Sequence, residues 1–315
     1  YKVLPGDNTT RAMVTGYLRD DSGNTSQWVD AIGSVTIDTT PPEKIKVVKT
    51  LGRNNLVLLS WDKSLVNDLA GYNIYRSLTP LSGFQEIGKG ELNEWRDEKA
   101  LNGQKYYYQL TAFDRAGNES ERSETVLGMP VAPGPTPVAG DIEVDTTWYA
   151  GASPYIIEQR VLIKDKARLT IEPGTEIRSK SGALVIEGQI EASGTKENLI
   201  VFTAAEEGKV WDGIIFSNTK EKENHLQYLR ISQAKTAITS QASSPRIEDS
   251  EITGNLTALK IEGAFSMPFV ARNVIHKNMG DAVVIIDGAK PSLTGNTITD
   301  NLKAGIFIEA AAPII

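Results

Sequence analysis

The stretch Pro245-Arg-Ile-Glu-Asp-Ser-Glu-Ile-Thr-Gly-Asn255 returns as Pro268-Phe-Val-Ala-Arg-Asn-Val-Ile-His-Lys-Asn278 and again as Pro291-Ser-Leu-Thr-Gly-Asn-Thr-Ile-Thr-Asp-Asn301. A fourth copy opens at Pro313-Ile-Ile315, so the prolines step by 23, 23 and 22 residues and the closing asparagines by 23 and 23. A period this steady marks stacked repeats. Ile247, Val270, Leu293 and Ile315 stand two places after the proline, and Ile252, Ile275 and Ile298 follow in the same copies. Ile238, Ile261, Val284 and Ile306 stand seven places before it. These runs are short, β-branched and bounded by Gly, Pro or Asn, which predicts strands and one coil per repeat.

Coils stacked in register place like residues above one another at the strand spacing of roughly 4.8 Å, with backbone amides pairing to the next coil. Aliphatic columns then fill the interior. Ser250, Asn273 and Asn296 form a further column, and Asn255, Asn278 and Asn301 another at the following bend. Asparagine tolerates left-handed backbone angles, and its amide can bond both its own turn and its neighbour above. These five asparagines are the predicted structural ladder.

Leu169-Thr-Ile-Glu-Pro-Gly-Thr-Glu-Ile177, Gly182-Ala-Leu-Val-Ile-Glu-Gly-Gln-Ile-Glu-Ala-Ser-Gly-Thr195 and Trp211-Asp-Gly-Ile-Ile-Phe216 supply the opening coils. With the repeats, they resemble the right-handed parallel β-helix family of extracellular bacterial proteins, the fold of the pectate lyases. The resemblance covers about residues 141 to 315. It implies the fold and leaves the activity open, since such proteins include lyases, hydrolases, adhesins and plain stalks.

The net charge of −7 and pI near 5.1 argue against a phosphate-binding surface, so nucleic acid and anionic membrane are not expected partners. Zero cysteines exclude disulfides, thiolate metal sites and a cysteine nucleophile. No apolar run approaches the roughly 20 residues of a membrane span.

Residues 1–40 read as the C-terminal part of an Ig-like domain. Val14-Thr-Gly-Tyr-Leu-Arg-Asp20 and Gly33-Ser-Val-Thr-Ile-Asp38 alternate as strands around a turn at Asp21-Ser-Gly-Asn24. Pro41-Pro42 makes a stiff joint. Residues 41–130 carry about seven short strand patterns, the spacing of a β-sandwich. Leu56-Val-Leu-Leu-Ser-Trp61, Gly71-Tyr-Asn-Ile-Tyr-Arg76 and Gly103-Gln-Lys-Tyr-Tyr-Tyr-Gln-Leu-Thr-Ala-Phe-Asp114 together look like a fibronectin type III domain, with Tyr106 in the tyrosine-corner position. Residues 131–140, with three prolines and a glycine in Val131-Ala-Pro-Gly-Pro-Thr-Pro137, read as a semi-rigid linker. The β-helix is expected from 141 to 315, its first end capped by Trp148, Tyr149, Pro154 and Tyr155, and further coils are expected beyond Ile315.

The resemblance to pectate lyases implies calcium held by carboxylates of neighbouring coils. Oxygen-rich coordination needs several Asp or Glu within ligand distance. Counted back from the proline, Asp287 and Glu309 share a column with Lys290 nearby, making them candidates for calcium or carbohydrate; two solvated carboxylates at a bend is the competing reading. Trp211 is a candidate for exposed sugar contact, against packing on the strand it precedes. Asp20, Asp38 and Asp114 flank joints between modules and are candidates for calcium, although turn formation explains an Asp there equally well and no cofactor is otherwise expected. His276 aligns with Thr253 and Thr299 and belongs on an outer face, whereas His225 falls in an irregular segment. Two distant histidines without cysteine do not make a transition-metal site. No catalytic residue is assigned.

The fold class expected is therefore all-β: a partial Ig-like segment, a fibronectin type III β-sandwich and a right-handed parallel β-helix. The function expected is a non-catalytic structural or adhesive module of a long bacterial surface or filament protein, extracellular, with other extracellular proteins, polysaccharide or further copies of itself as partners. Two alternatives stand beside it: a β-helix that binds or cleaves polysaccharide, and a scaffold subunit of an extracellular assembly.

Overall fold

The computed structural model describes residues 2–219 and 221–315, and the chain divides into two compact units, 1–130 and 131–315. Each has its own apolar core.

The first unit opens with an antiparallel hairpin of β1 (Thr9–Gly16) and β2 (Val29–Ile37). Two strands alone bury little, and Met13, Trp28 and Ile32 all stand exposed. The sandwich follows. β3 (Val48–Arg53), β4 (Leu56–Trp61) and β7 (Glu94–Asp97) make one sheet; β5 (Leu69–Ser77), β6 (Gln85–Gly90), β8 (Tyr106–Asp114) and β9 (Val126–Gly128) make the other, ordered β6-β5-β8-β9. Alternation sends Val57, Leu59 and Trp61 inward from one sheet and Tyr72, Ile74, Tyr108 and Leu110 from the other, with Trp61 edge-to-face on Tyr72 at 5.1 Å. The Tyr106 hydroxyl accepts the amide of Leu101 at 3.1 Å, as the corner reading requires.

The second unit is a parallel solenoid of about eight coils. It starts earlier than the sequence reading placed it. β10 (Thr136–Ile142), in the expected linker, already pairs in parallel with β12 (Tyr155–Ile163), and Val131 is packed into the core. A proline can occupy a terminal strand because only one of its edges needs every amide. β11 (Thr146–Trp148) completes the first coil, so Trp148 and Tyr155, stacked at 4.9 Å, are core residues of that coil.

Each coil contributes one strand to each of three faces. On the first face lie Ala183–Ile186, Gly213–Ser217, Thr236–Gln241, Thr257–Glu262, Val283–Ile286 and Ile306–Glu309. The second carries Gln189–Ser193, His225–Gln227, Arg246–Glu248, Phe269–Ala271 and Ser292–Thr294. The third carries Ile200–Ala204, Leu229–Ser232, Glu251–Thr253, Val274–His276 and Thr297–Thr299. The columns Ile247–Val270–Leu293 and Ile252–Ile275–Ile298 stand as the repeat predicts.

The first face does not keep register with the prolines. Ile238 stacks with Leu259, Val283 and Ile306, while Ile261 stacks with Ser240 and Ile285. The corner between the first and second faces varies in length from coil to coil, so counting back across it from the proline slips the alignment.

The asparagine ladders form. Oδ1 of Asn278 accepts the amide of Asn255 at 3.0 Å, Oδ1 of Asn301 accepts that of Asn278 at 3.0 Å, and the Nδ2 groups donate to Ile231, Ile252 and Ile275 carbonyls. At the other bend, Asn273 and Asn296 repeat this pattern below Ser250. Left-handed backbone angles fall on the residue before each asparagine and before Ser250: Gly254, Lys277 and Asp300 at one bend, Asp249, Arg272 and Gly295 at the other. Asparagine is selected here for its amide and not for its backbone tolerance.

Candidate functional site

Asp287 and Glu309, expected to share a column on the first face, stand one place out of register. Glu309 lies beside Ile286, and the amide after Asp287, that of Gly288, donates to Ala310. Asp287 and Ala310 occupy equivalent left-handed bend positions. The slip across the variable corner had placed Asp287 and Glu309 together. Trp211 is likewise no sugar platform: it is 1% exposed, stacks on Phe202 at 6.1 Å and donates Nε1–H to the Ser232 carbonyl at 2.9 Å. It fills the solenoid where Ala234 sits one coil on.

The charged residues of the outer faces are instead paired with one another, some within a strand and some from coil to coil. Glu248, only 8% exposed, meets Arg246 at 2.9 Å and Arg272 at 3.1 Å, and Asp249 meets Arg272 at 2.7 Å. On the third face Glu251 meets Arg230 at 2.6 Å and His276 at 3.0 Å. His276 stands outward between Thr253 and Thr299, as expected. On the first face Glu262 meets Lys260 at 2.5 Å.

Burial opposes ionisation of Glu248, Glu251 and Glu262, but hydrogen bonds from their basic neighbours prevail and hold all three carboxyls below their usual range. The Arg272 hydrogen bond brings Asp249 down to about 2. Column-wise complementarity was readable in the repeat, since Asp249 and Arg272 both stand four places after their prolines.

His225 belongs to a regular strand between Glu191 and Arg246, which corrects its reading as irregular. Its Nδ1 lies 3.5 Å from Glu191 and 3.3 Å from the Ser193 hydroxyl; its Nε2 lies 3.3 Å from Glu248, close in charge terms but without hydrogen-bond alignment.

In the first unit, Asp38 and Asp114 come together with Asp68, which the sequence reading missed. Each turns a carboxylate oxygen to within 4.8 Å of the others. Asp68 lies in the loop before β5, and nothing in its neighbours distinguishes it from an ordinary loop aspartate. Asn118 also donates to Asp114 from its amide and its side chain, and to the Asp38 carbonyl. Asp20 is not part of this group; Ser22 and Asn24 saturate its carboxylate within its own turn.

Fold and faces together define an all-β protein, a fibronectin-like sandwich followed by a right-handed parallel β-helix. The family described as "Right handed beta helix region" matches residues 158–314. The chain is 37% identical over 95 residues to an amylopullulanase of Thermoanaerobacter thermohydrosulfuricus, and 36% identical over 140 residues to one of Thermoanaerobacterium thermosulfurigenes. Those stretches are 30% and 42% of this chain but 6% and 7% of the relatives, so the chain spans a small part of their length. Among solved structures, an Fn3-like protein from Clostridium thermocellum aligns at 20% identity and TM-score 0.27, covering 30% of this chain and 97% of that one. A β-1,2-glucanase from Parabacteroides distasonis aligns at 24% identity and TM-score 0.26, covering 36% of this chain and 16% of that one.

Proposed function

We propose that this chain is a non-catalytic, carbohydrate-related module of an extracellular bacterial protein, a stiff β-helix carried beside a sandwich. The observation that supports this is the pairing of four carboxylates on the outer faces of the solenoid. A general acid for glycoside cleavage needs a raised pKa and a partner carboxylate at defined separation. Glu248, Asp249, Glu251 and Glu262 are all pulled the other way, each clasped by a cation. The pairs of Glu248 and Asp249 with Arg272 and of Glu251 with Arg230 fasten coils. The likeness to stretches of amylopullulanases favours carbohydrate as the working environment, with polysaccharide or other extracellular proteins as partners. The hairpin β1–β2 is, on the same reading, part of an Ig-like module.

The test is electrophoresis of the chain through gels cast with amylopectin or pullulan, combined with assays for released reducing ends and unsaturated uronate. Retardation without product is expected. Product whose release is lost in Glu248→Gln or Glu251→Gln overturns the non-catalytic reading.

Calcium at Asp38, Asp68 and Asp114 belongs to the same proposal. Three like charges this close repel one another, and a hard cation with oxygen ligands relieves that. Binding to the folded form alone raises stability by mass action. Millimolar calcium is therefore expected to raise the melting temperature of the sandwich unit by several degrees, and Asp68→Asn to remove the rise. An unchanged melting temperature in calcium and in chelator defeats this assignment.

A further inference from the structure

Of the five tryptophans, Trp61, Trp148 and Trp211 are buried in cores and Trp95 packs against the core of the sandwich. Trp28 is 67% exposed. It lies just before β2, and its ring meets that of Tyr17, just after β1, at 4.6 Å between centroids and 65° between planes. Tyr17 is itself 46% exposed. An aromatic pair standing this far into water calls for a partner, since large apolar rings gathered at a surface mark places of contact.

The hairpin has two unlike sides. Residues paired across an antiparallel ladder share a face, and successive pairs alternate between faces. Ala12 opposite Val35 and Gly16 opposite Val29 lie on one side, which Val14 and Ile37 extend. Met13 opposite Ser34 and Thr15 opposite Asp30 lie on the other. Tyr17 and Trp28 come one step beyond Gly16 and Val29, and so join Thr15 and Asp30. The aliphatic side is the one a sandwich core needs. In a complete Ig-like module the aromatic side therefore faces outward, and both rings stay accessible.

We infer that the Tyr17–Trp28 pair is a stacking site for a pyranose ring of a neutral polysaccharide. The inference rests on the carbohydrate-related reading above and adds to it a place and a mode of contact. The C–H groups on a face of a pyranose are polarised by its oxygens, and they pack on the electron-rich face of an aromatic ring. The hydroxyls are left at the sugar's edge, each donor and acceptor at once. Thr15 and Asp30, next along the same side and exposed, offer them a hydroxyl and a carboxylate. A polyanionic chain is disfavoured, because the turn beyond the pair carries Asp20 and Asp21 against Arg19 and Asp30 stands on the other flank, a net acidic surrounding. The rings are open to solvent, which suits one unit within a long chain and not an enclosed monosaccharide.

The experiment is affinity electrophoresis of the full chain through gels cast with α-linked (amylopectin, pullulan) or β-linked (mixed-linkage β-glucan, glucomannan) neutral polysaccharides. It is repeated on Trp28→Ala, Trp28→Phe and Tyr17→Ala, with a thermal melt and sedimentation velocity for each. Because Trp28 stands in solvent, Trp28→Ala is expected to melt with the wild type. Affinity that falls at least about tenfold in Trp28→Ala, the scale of a truncated aromatic anchor, falls also in Tyr17→Ala and is largely kept by Trp28→Phe supports the site. Equal retardation of wild type and Trp28→Ala places the polysaccharide elsewhere and overturns the inference, leaving the general function intact. Self-association that is lost in Trp28→Ala while retardation stays unchanged assigns the pair to a protein contact and overturns it too. Absence of retardation in every gel removes the carbohydrate reading itself, and the inference with it.

Discussion

At the scale of the residue, the ladders and the ion pairs answer the same problem: each coil end must satisfy its polar groups against the next coil. Asn278 is 1% exposed and bonds to Asn255, Asn301, Ile252 and His276. Asn278→Ala leaves the Asn255 amide and the Ile252 carbonyl without that partner, and a loss of about 2–4 kcal/mol is expected by denaturant unfolding. The ion pairs act differently, through pH. Asp249 is depressed from 3.8 to about 2 by Arg272, so its stabilisation is complete above the ordinary value and is lost as pH falls through the lower one. Arg272→Ala is therefore expected to melt below wild type above pH 4 and to converge on it as the pH approaches 2, in thermal scans across that window.

At the scale of the element, the three faces differ in how tightly the repeat constrains them. The second joins the third, and the third joins the first of the next coil, through bends with a left-handed residue followed by Asn or Ser, which cannot lengthen without breaking the ladder. The first-to-second corner has no such ladder among the described residues, and it varies in length. Strand packing within the first face is nevertheless close. A Cβ on Gly213 would fall 1.7 Å from the Thr236 carbonyl oxygen, at a φ of +95. Gly213→Ala should thus cost more than about 4 kcal/mol, or prevent this coil from forming, read as loss of protease resistance and of the cooperative melt.

At the scale of the whole molecule, two cores with no shared members predict two folding units. Fragments 1–130 and 131–315 are expected to fold separately, and calorimetry of the full chain to show a transition for each. A single transition that neither fragment reproduces would contradict that division. Aliphatic columns stacked coil on coil give the second unit nearest-neighbour energetics, in which a damaged coil unfolds locally before the rest.

The sequence by itself determined the coil, the period, the aliphatic columns of two faces and the asparagine ladder, because stacking repeats the same contact every coil and so writes it into the chain as periodic identity. It also determined the sandwich core, through alternation around Trp61 and Tyr108. Tertiary structure decided what periodicity does not carry. Counting from the prolines misaligned the first face, since a corner of variable length resets the register, and this separated Asp287 from Glu309. For Trp211 the chain left exposed sugar contact standing beside packing on the strand it precedes, and the interior of the coil decides for packing. Asp68 joined Asp38 and Asp114 through loops whose spacing in the chain bears no fixed relation to their distance in space.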